Sequence, residues 1–434
     1  MQFHSTKNND LKASLEEALF RSLPSDNGLY MPDAIPTLPK SFFDQIDKLS
    51  FNEIAIEVTH TLLSENLSRA EVEKVVNSAF DFIAPTVKLE SNISILELFH
   101  GPSMAFKDFG ARFMASLMSH FLVKSEKNVR ILVATSGDTG GAVAQGFYKV
   151  PGIDVTILYP SGKVSDIQEK QLTTLGENVR ALEVDGTFDD CQWLVKQAFL
   201  DSDLNEKFNL SSANSINIAR LIPQSFYYFF AYAQLKQENK PLVFSVPSGN
   251  FGNLSAGLLA WKMGLPVEKF IASTNVNNAV PLYLETGTYD PKASIATISN
   301  AMDVGNPSNF VRMKELAGER FEEITHIVQG YFFDDSETRQ EMTNTYNAYG
   351  YVLCPHTAVA VLGLKKFLDE HTEEVHGVAL STAHPAKFLE LVEETLQTTV
   401  EIPENLKSLL AKNKVATKMS TSFEEFKSLL LNSF

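Results

Sequence analysis

The sequence predicts an α/β protein of two lobes, each a parallel twisted sheet covered by helices, with a helical N-terminal portion ahead of them. Three observations carry that prediction. From residue 93 short, nearly continuous apolar runs alternate with helical stretches, the texture of parallel strands joined by crossover helices and covered on both faces. The same grammar is written a second time from residue 242. Finally, three of the apolar runs end in loops of small polar residues, and ligands of open α/β sheets bind outside the carboxyl ends of strands.

Taken in order, residues 11–20 and 51–81 read as helical, the second from apolar residues at Ile54, Ile56, Val58, Leu62, Leu63, Val72, Val75 and Val76. Between them Leu23-Pro-Ser-Asp-Asn-Gly-Leu-Tyr-Met-Pro32 is dense in turn residues and reads as a loop. The first lobe then runs strand 93–98, helix 107–124, strand 129–134, helix 140–148, strand 153–159, helix 165–175, strand 179–184 and helix 189–200. The apolar run 226–233 is far too short for a membrane span, which needs about 20 residues, and reads as a buried helix. The second lobe gives strand 242–246, helix 254–263 and strand 270–274, followed by a polar stretch over 275–309. It closes with helix 355–369, strand 378–381 and helix 386–398. Residues 403–434 read as a helical tail with Glu424, Glu425 and Lys427 on its solvent side. The domain division is therefore 1–88, 89–235, 236–402 and 403–434.

Composition narrows the function. A chain of 434 residues with a net charge of −16 has the composition of an ordinary globular protein, and an acidic surface without a basic stripe repels phosphate backbones. Nucleic acid and membrane are therefore not expected partners. Cys191 and Cys354 are too few for a disulfide framework, and the start lacks a basic segment followed by an apolar one; both point to the reducing cytoplasm. The nine histidines include no pair at zinc-binding helical spacing, His371 and His376 lying five apart, so no metal site is expected.

The chemistry centres on His100-Gly-Pro-Ser-Met-Ala-Phe-Lys107-Asp, a turn leading into a lysine among aromatic and small residues. A desolvated lysine loses its proton more readily and becomes an amine able to attack a carbonyl. Three strand-end loops accompany it. Ser248-Gly-Asn-Phe-Gly-Asn253 offers glycine-freed backbone N–H groups and a following helix N-terminus, a cup for a phosphate; it is neither a dinucleotide fingerprint nor a Walker loop. Thr135-Ser136-Gly-Asp138-Thr139-Gly140 offers hydroxyls and amides for a carboxylate, with Asp138 opposing an anion unless it caps the helix. Thr382, in Thr382-Ala-His-Pro-Ala-Lys-Phe388, supplies a hydroxyl for a ring nitrogen. An amine for an aldehyde, a cup for a phosphate and a partner for a pyridine nitrogen together describe pyridoxal 5′-phosphate.

These four motifs, with Asn27-Gly-Leu-Tyr-Met-Pro32, Ser212-Ala-Asn-Ser-Ile-Asn-Ile-Ala-Arg220 and Pro355-His-Thr-Ala358, closely resemble the threonine synthases. Those are pyridoxal-phosphate enzymes of the tryptophan-synthase-β-like, or fold type II, family, and the likeness runs over residues 20–400 in the family's order. The resemblance implies that Lys107 forms the Schiff base with the cofactor. It implies that Gly249, Asn250, Phe251, Gly252 and Asn253 hold the cofactor phosphate, that Thr382 bonds the pyridine nitrogen, and that residues 135–139 take the substrate carboxylate. The implied reaction turns O-phospho-L-homoserine and water into L-threonine and phosphate. Ser103, Lys163, Ser165, Asn217 and Arg220 lie in matching segments as candidate substrate contacts, and Arg112 follows on the helix that Lys107 opens. The resemblance leans to a monomer, with a dimer as the alternative.

Competing readings are another fold type II lyase such as a threonine or serine dehydratase, a sulfhydrylase, or a homologue that binds small molecules without catalysis. An NAD-binding enzyme ranks lower, since no acidic residue follows a true fingerprint.

Overall fold

The computed structural model describes residues 1–123, 128–135, 137–372 and 374–432. Two parallel sheets dominate. One orders its strands Thr417–Met419, Val179–Val184, Ile153–Pro160, Val129–Ala134 and Asn209–Ser212, all parallel. The other orders Val328–Phe332, Val267–Thr274, Leu242–Pro247, His376–Ser381, Ile93–Glu97 and Thr86–Lys88, parallel except for the last, which pairs antiparallel with its neighbour. Strands such as Val129–Ala134 and Leu242–Pro247 are buried at every position because helices cover both faces.

Several expectations need correction. The strand Ile93–Glu97, placed by sequence order in the first lobe (89–235), pairs with His376–Ser381 in the second sheet, with Gly377 opposite Ile93 and Ser381 opposite Glu97. The chain thus starts in one sheet, builds the other, and returns. The tail is not wholly helical: Thr417–Met419 adds an edge strand to the first sheet, and Lys427 is held between Asp201 and Asp203 at 2.8 and 2.6 Å. Nor is the N-terminal portion wholly helical. Asn8–Ala13, Phe3–Ser5 and Tyr30–Pro32 form a small antiparallel sheet, and helix begins only at Leu15, behind a capping box between Ser14 and Glu17.

The stretch 51–81, read as helical, holds two helices, Phe51–Leu63 and Arg69–Ala79, because Ser68 and Glu71 form a capping box of their own that starts the second. The polar stretch 275–309 contains the helix Ala279–Thr286. Beyond it the helices Phe310–Ala317, Phe321–Ile327 and Asp335–Tyr349, and the edge strand Val328–Phe332, went unread in the sequence. The last helix of the second lobe opens with the 3₁₀ turn Pro385–Phe388 before Leu389–Leu396.

The helix Lys107–Leu122 carries the central lysine and is wedged into an aromatic cluster. Phe109 meets Phe82, Tyr227 and Phe51 at ring separations of 4.9, 5.2 and 5.5 Å, and Phe113 meets Phe226 at 5.7 Å. Aromatic pairs of this kind add roughly 0.5–1.5 kcal/mol each beyond area burial, so the first turn of this helix is fixed from below. Phe226 and Tyr227 belong to the buried helix Phe226–Leu235, as its apolar run predicts. Among the described residues no helix is long and apolar enough to cross a membrane.

Candidate active site

The strand-end loops of both sheets meet around a cavity of about 1020 Å³. Lys107 lines it. The segment ahead of the lysine runs beside the loop after His376–Ser381: Ala105 bridges Ala383, the Phe106 N–H donates to the Thr382 carbonyl at 2.8 Å, and the His384 N–H to the Met104 carbonyl at 3.1 Å. This pairing sets Thr382 beside the lysine. Gly101 is required in the turn, since a Cβ there would lie 2.4 Å from Asp108 Oδ2, which accepts the Ser103 N–H at 2.8 Å. Burial pushes the Asp108 carboxyl up to about 6.

Among the described residues Lys107 Nζ has neither hydrogen-bond nor ion-pair partner; it lies 5.8 Å from the centroid of the Phe106 ring. Burial holds its amine below the usual lysine range, Lys387 and Arg220 add to the depression, and Asp138 pulls the other way. A desolvated amine of this kind can serve as a nucleophile or a base.

Gly249, Asn250, Phe251, Gly252 and Asn253 line the same cavity. Gly249 touches backbone so closely that a Cβ would lie 2.7 Å from Met302 Cα, and Phe251 sits in the left-handed region at φ 60° before the helix Gly252–Lys262. Asn250 braces the loop: its Nδ2 donates to Ser215 Oγ at 2.6 Å, and its Oδ1 accepts the Ser308 N–H at 2.6 Å. Asn253 Oδ1 accepts the hydroxyls of Tyr227 and Tyr228 at 2.6 and 2.7 Å, which leaves its buried Nδ2 with no partner. An orphaned buried donor beside a glycine cup fits an oxyanion. Thr382 also lines this cavity; it is buried, and its hydroxyl makes no hydrogen bond among the described residues.

The third loop behaves differently from its expectation. Thr135 Oγ1 accepts the N–H groups of Gly137 and Gly140 at 3.0 and 2.9 Å, stapling the start of the helix Asp138–Phe147. Asp138 does not cap; it lines the cavity, and its Oδ1 pairs with Lys387 Nζ at 2.7 Å and accepts Gln168 Nε2 at 3.0 Å. These contacts hold its carboxyl well below the usual carboxylate range despite burial. Thr139 also lines the cavity, whereas Ser136 lies outside the described residues.

Of the candidate substrate contacts, Lys163 reaches the cavity from an exposed turn and Arg220 from a buried position. Arg220 packs on Gly110, donates from Nη1 to the Ala213 carbonyl and has an unpartnered Nε; burial lowers it to about 10. The other four do not line the cavity. Arg112 turns away to the Ala79 carbonyl at 2.6 Å and Asp81 at 3.1 Å, because five residues of helix rotate it off the lysine's face. Asn217 is consumed inside the fold, its Nδ2 donating to the Leu19 carbonyl and Ser22 Oγ at 2.8 and 2.9 Å. Ser165 caps the helix Asp166–Thr173. Ser103 contributes backbone only, its carbonyl accepting Gln171 Nε2 and Lys387 Nζ at 2.9 and 2.8 Å.

Sequence reading passed over His356 and Lys387. His356 lines the cavity, its Nε2 accepts the Ala301 N–H at 3.1 Å, and burial lowers it to about 4. Both residues stood inside recognised motifs, but their partners are remote in sequence.

Comparison with known proteins decides the family. A model of pyridoxal-phosphate dependent enzymes matches residues 84–381, and models of the threonine synthase N terminus and C-terminal region match 2–80 and 357–430. The threonine synthase of Escherichia coli K12 is 43% identical over 433 residues, covering 100% of both chains. The chain belongs to the threonine synthase family. The crystal structure of the Escherichia coli threonine synthase superposes with a TM-score of 0.92 over 100% of each chain. That of the pyridoxal-phosphate-bound threonine synthase from Brucella melitensis, 32% identical, superposes with a TM-score of 0.94 over 99% of this chain and 98% of the other. The fold is therefore that of the threonine synthases, and pyridoxal 5′-phosphate is the family's cofactor. The partnerless lysine, the orphaned Asn253 amide in the glycine cup and the free Thr382 hydroxyl fit that cofactor's three polar ends.

Proposed function

We propose that the chain converts O-phospho-L-homoserine and water into L-threonine and phosphate, completing threonine biosynthesis. The carrying observation is the partnerless Lys107 amine on the wall that also holds Thr382 and the glycine cup, in a chain 43% identical throughout to a threonine synthase.

Lys107 would hold the cofactor aldehyde, the N–H groups of 249–253 with Asn253 Nδ2 its phosphate, and the Thr382 hydroxyl its ring nitrogen. When bound, pyridoxal 5′-phosphate supplies the aldehyde that carries the substrate amine and the conjugated ring that spreads electrons released at Cα and Cβ. Lys107 Nζ, whose charged form burial disfavours, is placed to take the Cα proton; loss of a Cβ proton then expels the phosphate from Cγ, a proton returns to Cγ, and water adds at Cβ. The loop bearing Thr135, Asp138 and Thr139 would receive the substrate carboxylate, and Arg220 with Lys163 its phosphate; a guanidinium fork suits that anion best. The turn Asn300–Met302, of which Met302 is buried, is pinned to His356 through the Ala301 N–H and lines the same cavity.

The reading includes a monomer in the cytoplasm. Free, buried Cys191 and Cys354 suit a reducing compartment, and the long additions around the two lobes support a single chain. A doubled mass in light scattering overturns the monomer.

The test is release of phosphate and L-threonine from O-phospho-L-homoserine by the cofactor-loaded chain, beside the Lys107→Ala variant. Activity in the first and none in the second is expected. Formation of 2-oxobutyrate from threonine without phosphate release would favour a dehydratase.

A further inference from the structure

The loop assigned to the substrate carboxylate carries a carboxylate of its own. Asp138 is 7% exposed and lines the cavity, and Oδ2, the oxygen not held by Lys387 and Gln168, has no partner among the described residues. A bare aspartate there would repel any anion brought to the helix N-terminus, since two like charges in a poorly solvated site interact strongly.

Lys387 removes the difficulty. Its side chain is fully buried, its Nζ lies 2.7 Å from Asp138 Oδ1, and a second donor goes to the Ser103 carbonyl at 2.8 Å. That carbonyl belongs to the turn leading into Lys107 and is also held by Gln171 Nε2 at 2.9 Å. The lysine comes from the turn Pro385–Phe388, which follows a strand of the second sheet, whereas Asp138 follows a strand of the first. The contact is braced: Ala386 packs with Met104, Ile167, Leu406 and Leu409, so the tail helix Glu404–Leu410 presses on the segment bearing the lysine.

We propose that Lys387 is a positioning residue for the substrate carboxylate: reaching across from the second lobe, it neutralises Asp138 and turns an otherwise acidic loop into one that accepts an anion. This rests on the proposed function, in which the loop bearing Thr135, Asp138 and Thr139 takes that carboxylate. The pair also explains why a fully buried lysine is tolerated here. Removing one partner alone strands a buried charge, while removing both does not.

The experiment measures binding of L-threonine and of L-threonine amide to the holoenzyme through the change in the cofactor's visible spectrum. Wild type and the variants Lys387→Met, Asp138→Asn and the double variant Asp138→Asn/Lys387→Met are compared. Lys387→Met should weaken L-threonine at least tenfold and the uncharged amide less than threefold. The double variant should return L-threonine to within threefold of wild type. Asp138→Asn, which leaves the lysine charge uncompensated, should bind L-threonine at least threefold more tightly, and it decides the matter even if Lys387→Met does not fold. Equal losses for acid and amide, or weaker L-threonine binding in Asp138→Asn, would overturn the inference by showing that the pair acts through shape. A wild type that binds L-threonine but does not turn over O-phospho-L-homoserine would instead refute the proposed function and leave the charge argument standing.

Discussion

Replacing Gly249 by alanine puts a methyl carbon 2.7 Å from Met302 Cα and 2.9 Å from the Ala301 carbonyl oxygen. Ordinary contact begins at 3.4 Å, so the overlaps are 0.7 and 0.5 Å (3.4 − 2.7 and 3.4 − 2.9). Both neighbours are backbone and cannot rotate aside. They belong to the turn Asn300–Met302, which is itself tied down by the Ala301 N–H on His356. The 249–253 loop must therefore move, carrying its N–H groups off the phosphate they are shaped to receive. Overpacking of this size costs about 1–3 kcal/mol, which is roughly a five- to 150-fold change in a dissociation constant. Titrating the apo-protein with pyridoxal 5′-phosphate and following its visible absorbance should give an affinity for Gly249→Ala at least tenfold below wild type. An unchanged affinity, with an unchanged urea midpoint for the apo form, would refute the assignment of this loop as the phosphate cup.

Three further outcomes follow from the same geometry. In Gly110→Ala the new Cβ lies 2.6 Å from Arg220 Nε and 3.0 Å from the Arg220 carbonyl, so the guanidinium is displaced. KM for O-phospho-L-homoserine should rise tenfold or more with cofactor affinity nearly unchanged, and an equal KM contradicts the role of Arg220. Arg112→Ala should cost about 1–2 kcal/mol of stability through the lost bond to the Ala79 carbonyl and leave KM alone; a raised KM would return Arg112 to the substrate site. Burial holds His356 at about 4, below the unfolded value near 6.5, so the unfolded chain binds the extra proton between those values and stability falls as pH drops from about 6.5 to about 4. The loss from this one group is at most about 3 kcal/mol. His384, also lowered to about 4, acts in the same direction, while Asp108, raised to about 6, opposes them from about pH 6 downward, over most of the window. Urea midpoints measured against pH should show a shallower acid slope in His356→Asn, and an unaltered slope contradicts a neutral buried imidazole.

The alternation of apolar runs with helices was enough to read two covered parallel sheets, because such strands announce themselves by continuous Val, Ile and Leu. Strand membership was not readable. Ile93–Glu97 looks like the first strand of the lobe that follows it, yet its partners lie nearly 300 residues on, and no local pattern encodes a long-range pairing. Helices such as Asp335–Tyr349 escaped because their exposed faces are polar and only Thr338, Glu341, Met342 and Thr345 are buried.

At the site, residues whose role depends on their own motif stood out: Lys107 in its turn, the glycine cup, Thr382 at a strand end. Residues whose direction depends on tertiary packing did not. Arg112 and Asn217 carry suitable chemistry but turn elsewhere, Arg112 to the Ala79 carbonyl and the exposed Asp81, Asn217 into the interior. Lys387 gives no local signal, because its role depends on Asp138, 2.7 Å away and carried by the other sheet.

Among the described residues four lysines stand in or against the cavity: Lys107, Lys163, Lys292 and Lys387. Borohydride reduction of the holoenzyme, followed by proteolysis and mass spectrometry, locates the one that bonds the cofactor. The geometry predicts a single modified peptide containing Lys107, lost in Lys107→Ala. A label on Lys163, Lys292 or Lys387 in the native chain, or none at all, would contradict the role given to Lys107.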